Sequence, residues 1–233
     1  MSSPGREMTL RQAALVAGAG LLLMAITTPF GETLIYSRLV VENDIAATAR
    51  NIVAHRGLFL LGVVGYLITF AADIVVAWAL YLLFAPVNRS LSLLTAWFRL
   101  IYTAAALAAM LKLVSVLRLV TTAEYQIAFG ADQLHAQVKL LLDSYRFEWS
   151  MSLVIFGAHL CLLGYLVFRS VYVPRAIGLV LVAAGLGWVI SILGPLVAPG
   201  ASLEVVGVTV VGELIFMLWL LIRGRKLEHP ALA

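Results

Sequence analysis

The chain has 233 residues, of which 63% are hydrophobic and only 12% are charged, and its formal net charge at pH 7 is +4. Soluble domains carry about 25% charged residues, so this composition excludes an ordinary soluble domain and indicates lipid as the solvent. The positive charge does not indicate nucleic-acid binding, because the Lys and Arg residues lie mostly at the ends of apolar stretches, where they set topology and meet membrane lipids.

Six apolar stretches approach the roughly 20 residues that a membrane-spanning helix needs. Backbone groups in lipid must be satisfied within their own segment, so each stretch is predicted to be a helix. The predicted spans are residues 12–30, 57–84, 91–113, 147–168, 176–196 and 203–222. They fill most of the chain, which predicts an all-α, six-helix transmembrane bundle forming a single integral membrane domain over residues 1–233.

The first apolar run, residues 13–26, follows Arg6 and Arg11 and so resembles a signal peptide. No small-x-small cleavage site follows the run, and we therefore predict an uncleaved first span. Pro29 is predicted to end or kink this helix.

The connections between spans predict the topology. Two short connections, residues 85–90 and 169–175, carry basic residues, whereas residues 197–202 carry none. By the positive-inside rule, both termini are predicted to face the cytoplasm.

The two long connections, residues 31–56 and 114–146, then lie outside the cell, and both contain amphipathic stretches. The first is opened by Asn43 or Asp44 and has one apolar face formed by Ile45, Ala49, Ile52 and Val53. The second has a capping-box pattern at residues 121–124 and then an apolar face formed by Leu134, Val138, Leu141, Leu142 and Tyr145. Both are predicted to be amphipathic helices on the outer membrane surface or over the bundle. Near them, Glu32, Arg146 and Glu148 are interpreted as solvated helix ends, with the lining of an entrance as the alternative.

Four ionisable side chains lie near the middle of four different predicted spans: Asp73, Arg99, His159 and Glu213. A charge inside hydrocarbon persists only when it is paired, faces the interior of the bundle or has a function. At 1.5 Å per residue, Asp73 and Arg99 lie about 16 and 12 Å from the cytoplasmic ends of their helices, so we predict that they form an ion pair. Glu213 is then expected to interact with His159 or with Arg99. Candidate hydrogen-bonding support comes from Tyr66, Thr69, Tyr102, Thr103 and Ser152.

These residues leave three functions open. The first is binding, transport or sensing of a small molecule, an ion or a proton by the four ionisable groups. The second is an accessory or scaffold role, in which small-residue faces of spans three and five pack against another membrane protein or a second copy and the ion network is structural. The third is an intramembrane enzyme acting on lipid, with Glu213 or Asp73 as acid or base and His159 as partner.

Binding is favoured over catalysis, because the chain has no Walker loop, no GxSxG, no GxGxxG and no HExxH spacing. No catalytic residue is assigned, and neither a cofactor nor a metal site is predicted. Cys161 is the only cysteine, so it cannot form a disulfide within the chain.

Several motifs are carried together by the chain, among them Phe156-Gly-Ala-His159-Leu-Cys and Tyr172-Val-Pro174-Arg175-Ala-Ile-Gly178, with further segments at residues 42–55, 86–91, 183–187 and 212–219. Together they resemble the bacterial integral membrane proteins grouped as domain of unknown function 4386. The resemblance implies six helices and a location in the bacterial cell (inner) membrane. It implies no activity, substrate or cofactor.

Overall fold

A computed structural model of the protein describes residues 8–198 and 206–227, and within these residues it contains helices and no strands. The helices are α1 (Leu10–Glu32, continued by a π-helical turn, Thr33–Ser37), α2 (Ile45–Ala54), α3 (Arg56–Phe84), α4 (Arg89–Thr121), α5 (Ala123–Ala128), α6 (Ala131–Arg169), α7 (Arg175–Val197) and α8 (Val206–Ile222), followed by a 3-10 turn, Gly224–Lys226. The prediction of an all-α chain is confirmed for this part of the protein.

Five of these helices are long and apolar enough to cross a membrane. They are Leu10–Ser37, Arg56–Phe84, Arg89–Thr121, Ala131–Arg169 and Arg175–Val197. The predicted sixth span begins at residue 203, outside the described residues, and α8 supplies 17 described residues of it. The protein is therefore a multi-pass membrane protein.

The connection predicted between spans three and four is largely helical. Helix α4 continues to Thr121, and α6 runs without a break over 39 residues, Ala131–Arg169. The amphipathic run after Gly130 is the first part of this long helix, with Val138 and Tyr145 buried along it. The prediction of a separate amphipathic helix was wrong, because the amphipathic and the apolar parts share one helical period and nothing between them ends the helix.

Two local signals predicted less than expected. Pro29 does not end the first helix, since α1 continues to Glu32 before the π-helical turn begins, and a kink at Pro29 stays a prediction. The capping-box pattern at residues 121–124 produces only the short helix α5, and its N-terminal residue Thr122 makes no side-chain capping hydrogen bond.

Helix α2 begins as the sequence predicts. The Asp44 carboxylate accepts a hydrogen bond of 2.7 Å from the backbone N–H of Ala47, which caps the helix. Ala49 and Ile52 are buried, but Val53 is 48% exposed, so the predicted apolar face is narrower than expected.

Asp44→Ala should therefore destabilise α2 by about 0.5–2 kcal/mol, because a capping oxygen is lost, whereas Asp44→Asn should preserve the cap. Hydrogen exchange of the amides of residues 45–54 measures this effect. Equal exchange in both variants would show that the cap does not stabilise α2.

Backbone contacts divide the protein into two compact units. Unit 1 contains the described residues up to Leu22, residues 72–102 and the described residues from Leu153 onward; unit 2 contains residues 23–71 and 103–152. The helices α1, α3, α4 and α6 contribute residues to both units.

Unit 1 exposes large apolar side chains on its surface and buries charged side chains inside. Ile74, Trp78 and Trp97 are exposed on the surfaces of α3 and α4. On the same two helices, Asp73 and Arg99 are each only 1% exposed. Large exposed apolar surfaces around buried charges are unfavourable in water and are expected where lipid is the solvent.

Glycines bring α6 and α7 into backbone contact. A Cβ atom placed on Gly164 would lie 2.6 Å from the carbonyl oxygen of Gly178, and one placed on Gly185 would lie 2.5 Å from that of Gly157. The predicted small-residue face of span five is thus confirmed at Gly178 and Gly185, and α6 provides glycines opposite them.

Candidate functional site

The polar layer of unit 1 is defined here as Asp73, Arg99, His159 and Glu213. Its core is the ion pair between Asp73 on α3 and Arg99 on α4. A short connection joins these two helices. The Asp73 Oδ1 oxygen lies 2.5 Å from Arg99 Nη2 and accepts a hydrogen bond of 2.6 Å from Arg99 Nε. The predicted ion pair is confirmed, and it is fully enclosed.

His159 on α6 extends this pair. Its Nε2 atom lies 3.1 Å from Arg99 Nη1, and its Nδ1 atom lies 2.9 Å from the carbonyl oxygen of Thr95. Arginine can only donate, so Nε2 must accept, and the carbonyl can only accept, so Nδ1 must carry the proton. The contacts therefore define a neutral imidazole with one tautomer.

Aromatic rings cover the Arg99–His159 contact. The Phe156 ring stacks on His159 at a centroid distance of 5.6 Å, and the Arg99 guanidinium lies 5.5 Å from the centre of the same ring. Tyr102 packs on the other side of this group, 4.7 Å from Phe156 between ring centroids. The cation therefore has a carboxylate, an imidazole and an aromatic face as neighbours.

Glu213 on α8 is the fourth member of the polar layer. It interacts electrostatically with Arg99 and Asp73. Arg99 was one of the two partners that the sequence predicted for Glu213. The Trp188 indole lies beside its carboxyl, but the indole N–H forms no hydrogen bond of normal geometry among the described residues. Unlike the other three members, Glu213 is only partly buried.

The space inside the polar layer is small. Arg99 and Glu213 line one void of about 10 Å³, and the remaining walls are apolar side chains. A cavity needs about 10–15 Å³ to hold one water molecule. The void beside Arg99 and Glu213 is thus about the size of one water molecule.

The predicted supporting residues divide between the two units. Tyr102 belongs to unit 1, whereas Tyr66, Thr69, Thr103 and Ser152 belong to unit 2. There the Thr69 hydroxyl lies 2.7 Å from that of Thr27, and the Ser152 hydroxyl donates a hydrogen bond to the Trp149 carbonyl. Among the described residues, no group of three His, Cys, Asp or Glu side chains could hold a metal ion.

Unit 2 contains an aromatic cluster that sequence reasoning missed. It consists of Tyr36, Tyr66, Phe70, Tyr145 and Trp149, whose rings contact one another at centroid distances of 5.5–6.5 Å. The pairs at positions 66 and 70 and at 145 and 149 have i,i+4 spacing, which was the available signal.

Of the charged residues near this cluster, Glu32 and Arg146 are exposed and Glu148 is partly exposed, as expected for solvated ends, and each also makes a specific contact. Glu32 accepts a hydrogen bond of 2.6 Å from the Tyr66 hydroxyl. Glu148 lies 3.4 Å from Lys112 in an ion pair, and the Arg146 guanidinium lies over the Tyr36 ring.

A cavity of about 480 Å³ adjoins the cluster in unit 2. It is lined by Tyr36, residues 40–45, Lys139, Leu142, Asp143 and Arg146. Lys139 and Asp143 form an ion pair with an N–O distance of 2.9 Å on α6. The sequence did not predict this cavity, because its walls come from segments separated by about a hundred residues.

Comparison with known proteins gives a family but no activity. Residues 16–224 match the family described as "Domain of unknown function (DUF4386)". A relative from Archaeoglobus fulgidus, described as an uncharacterized protein, is 34% identical over 167 residues, which cover 72% of this chain and 86% of the relative. No solved structure matches the chain.

Proposed function

Because the chain belongs to the family described as domain of unknown function 4386, whose description assigns no activity, we propose a function from the geometry of the polar layer. We propose that the protein is a six-span protein of the bacterial cell membrane that takes up and releases a proton at Glu213. This proton uptake would serve transport or sensing.

Two features support six spans with both termini in the cytoplasm. Helix α8 has 17 described residues, which is within the range of about 17–25 that crosses a bilayer. Basic residues occur at the start of α4 (Arg89), on both sides of the α6–α7 connection (Arg169 and Arg175) and directly after α8, which supports a cytoplasmic location for these positions.

The charge balance of the polar layer supports protonation of Glu213. Asp73 and Arg99 compensate each other, and the contacts of His159 define a neutral ring. An ionised Glu213 would therefore leave the layer with one net negative charge inside an apolar span, and protonation of Glu213 removes that charge. The single observation that carries the proposal is this unmatched carboxyl beside a closed ion pair.

The size of the void supports a proton over a larger ligand. About 10 Å³ between Arg99 and Glu213 accommodates one water molecule at most. Glu213 is also the only member of the layer that is partly exposed, so it is the least enclosed of the four residues.

We expect the fluorescence of Trp188 to follow the protonation of Glu213, because the indole lies beside that carboxyl. The signal is the difference between the wild type and Trp188→Phe, recorded against pH in lipid nanodiscs. Glu213→Gln should abolish a reversible transition, while Glu148→Gln, in unit 2, should leave it unchanged. A transition that survives in Glu213→Gln would contradict the proposal.

The closed geometry also favours a second candidate, a structural network in an accessory membrane subunit. Buried ion pairs can fix helix register without activity. In that case Glu213→Gln and the wild type would show the same flat titration, and crosslinking in native membranes would capture one defined neighbour.

A further inference from the structure

The cavity of unit 2 lies where lipid headgroups meet the protein. Tyr36 is one residue before the end of the first candidate span, Leu10–Ser37, and residues 40–45 follow that span directly. On the opposite wall, Arg146 comes immediately before the apolar stretch of residues 147–168. Chain segments just beyond the apolar part of a span lie at the membrane interface, where tyrosine and tryptophan are also enriched.

Arg146 on α6 and Tyr36 in the π-helical turn offer donors for an anion in the cavity. The Arg146 guanidinium lies 5.6 Å from the centre of the Tyr36 ring and forms no ion pair with the described residues. The Tyr36 hydroxyl is buried and has no hydrogen-bond partner within the described part of the chain. A buried hydroxyl without a partner is costly, so an acceptor oxygen that a ligand brings to this covered hydroxyl would be favoured.

The segment before α2 offers carboxylates for a cation. Glu42 and Asp44 both line the cavity from the segment before α2, and Asp44 uses only its Oδ1 atom in the helix cap. Lys139 is already neutralised by Asp143. The cavity therefore has a positive centre at Arg146 and a negative centre at Glu42 and Asp44.

We infer that this cavity binds a small zwitterion, with a phosphate group at Arg146 and the Tyr36 hydroxyl and a primary ammonium group at Glu42 and Asp44. A volume of about 480 Å³ lies in the range of about 300–1,000 Å³ that small-molecule sites occupy. The same chemistry occurs in the headgroup of phosphatidylethanolamine and in soluble aminoethyl phosphates. The interfacial position favours the lipid.

The test uses the whole protein in nanodiscs with equal amounts of phosphatidylethanolamine, phosphatidylglycerol and phosphatidylcholine. Phosphatidylglycerol has no amine, and the quaternary ammonium of phosphatidylcholine has no N–H to donate. Native mass spectrometry of lipids retained by the wild type should show enrichment of phosphatidylethanolamine. In separate nanodiscs made only of phosphatidylcholine, soluble glycerophosphoethanolamine is titrated to test for a free ligand.

Three variants test the assignment. Arg146→Gln should reduce binding at least about tenfold, because a hydrogen bond to a charged group is lost. Tyr36→Phe should reduce it about fivefold, and it should fold normally, because the hydroxyl makes no hydrogen bond within the described chain. Arg50→Gln is the matched control, since Arg50 is exposed on α2 and does not line the cavity.

Selective loss in Arg146→Gln and Tyr36→Phe supports the inference, and the two arms identify the source. Binding of the soluble probe indicates a free ligand, and retention of the lipid alone indicates the headgroup. The inference is overturned if the wild type shows no preference and binds no soluble probe. It is equally overturned if Arg146→Gln and Tyr36→Phe keep the same preference as the wild type and as the control Arg50→Gln.

Discussion

Asp73→Ala is expected to lower the free energy of unfolding by about 3–5 kcal/mol, because it leaves the Arg99 guanidinium buried without its carboxylate. Both side chains are only 1% exposed, and two Arg99 nitrogens contact one oxygen of Asp73. Denaturation in detergent micelles, followed by circular dichroism, measures the loss. Arg99→Lys should also destabilise the protein, since a lysine cannot contact Asp73 and His159 together in this planar geometry.

The surface pair in unit 2 is the control for this experiment. Lys112 and Glu148 are 37% and 40% exposed and lie 3.4 Å apart. Lys112→Gln should therefore cost less than about 1 kcal/mol. The double variant Asp73→Leu with Arg99→Met should recover much of the loss, because an apolar pair leaves no buried charge. Equal losses for Asp73→Ala and Lys112→Gln would show that the buried pair is not important for stability.

Gly164→Ala is expected to be the second strongly destabilising change. The added Cβ would lie 2.6 Å from the Gly178 carbonyl oxygen and 2.8 Å from the backbone nitrogen of Val182. Backbone atoms cannot move aside as a side chain can, so α6 and α7 must separate. Overpacking of this kind costs about 1–3 kcal/mol and sometimes more. Thermal unfolding in nanodiscs would measure it.

Gly57→Ala is the matched control, because a Cβ on this residue of α3 would meet nothing within 4 Å and no proline follows it. That change should be neutral or slightly stabilising, since alanine favours a helix more than glycine does. If both variants unfold at the same temperature, the close approach of α6 and α7 does not contribute to stability.

The sequence predicted those features that depend on one helix at a time. Apolar length identified five helices that can cross a membrane, and counting residues from the ends of two helices placed Asp73 and Arg99 at one depth. The capping of α2 by Asp44 also followed from local chemistry. These predictions succeeded because a helix has a fixed rise and a fixed period.

Features that depend on which helices meet were not predictable in this way. The aromatic cluster and the cavity beside Tyr36 join α1, α3 and α6, and a single sequence does not indicate that these helices are neighbours. Gly157 and Gly164 of α6 have no role that could be read from α6 by itself, since only their positions opposite Gly185 and Gly178 give them one. The break expected before residue 147 failed for another reason: a change from amphipathic to apolar residues does not interrupt a helix.

Infrared difference spectroscopy of the Glu213 carboxyl tests the proposed function most directly. Protein with ¹³C-labelled glutamate is recorded at high and low pH in nanodiscs, and the carboxylic-acid carbonyl band is compared between variants. The proposal predicts a reversible band that is present in the wild type and in Glu148→Gln and absent in Glu213→Gln. A spectrum of Glu213→Gln identical to that of the wild type would show that Glu213 does not exchange a proton, and would contradict the account.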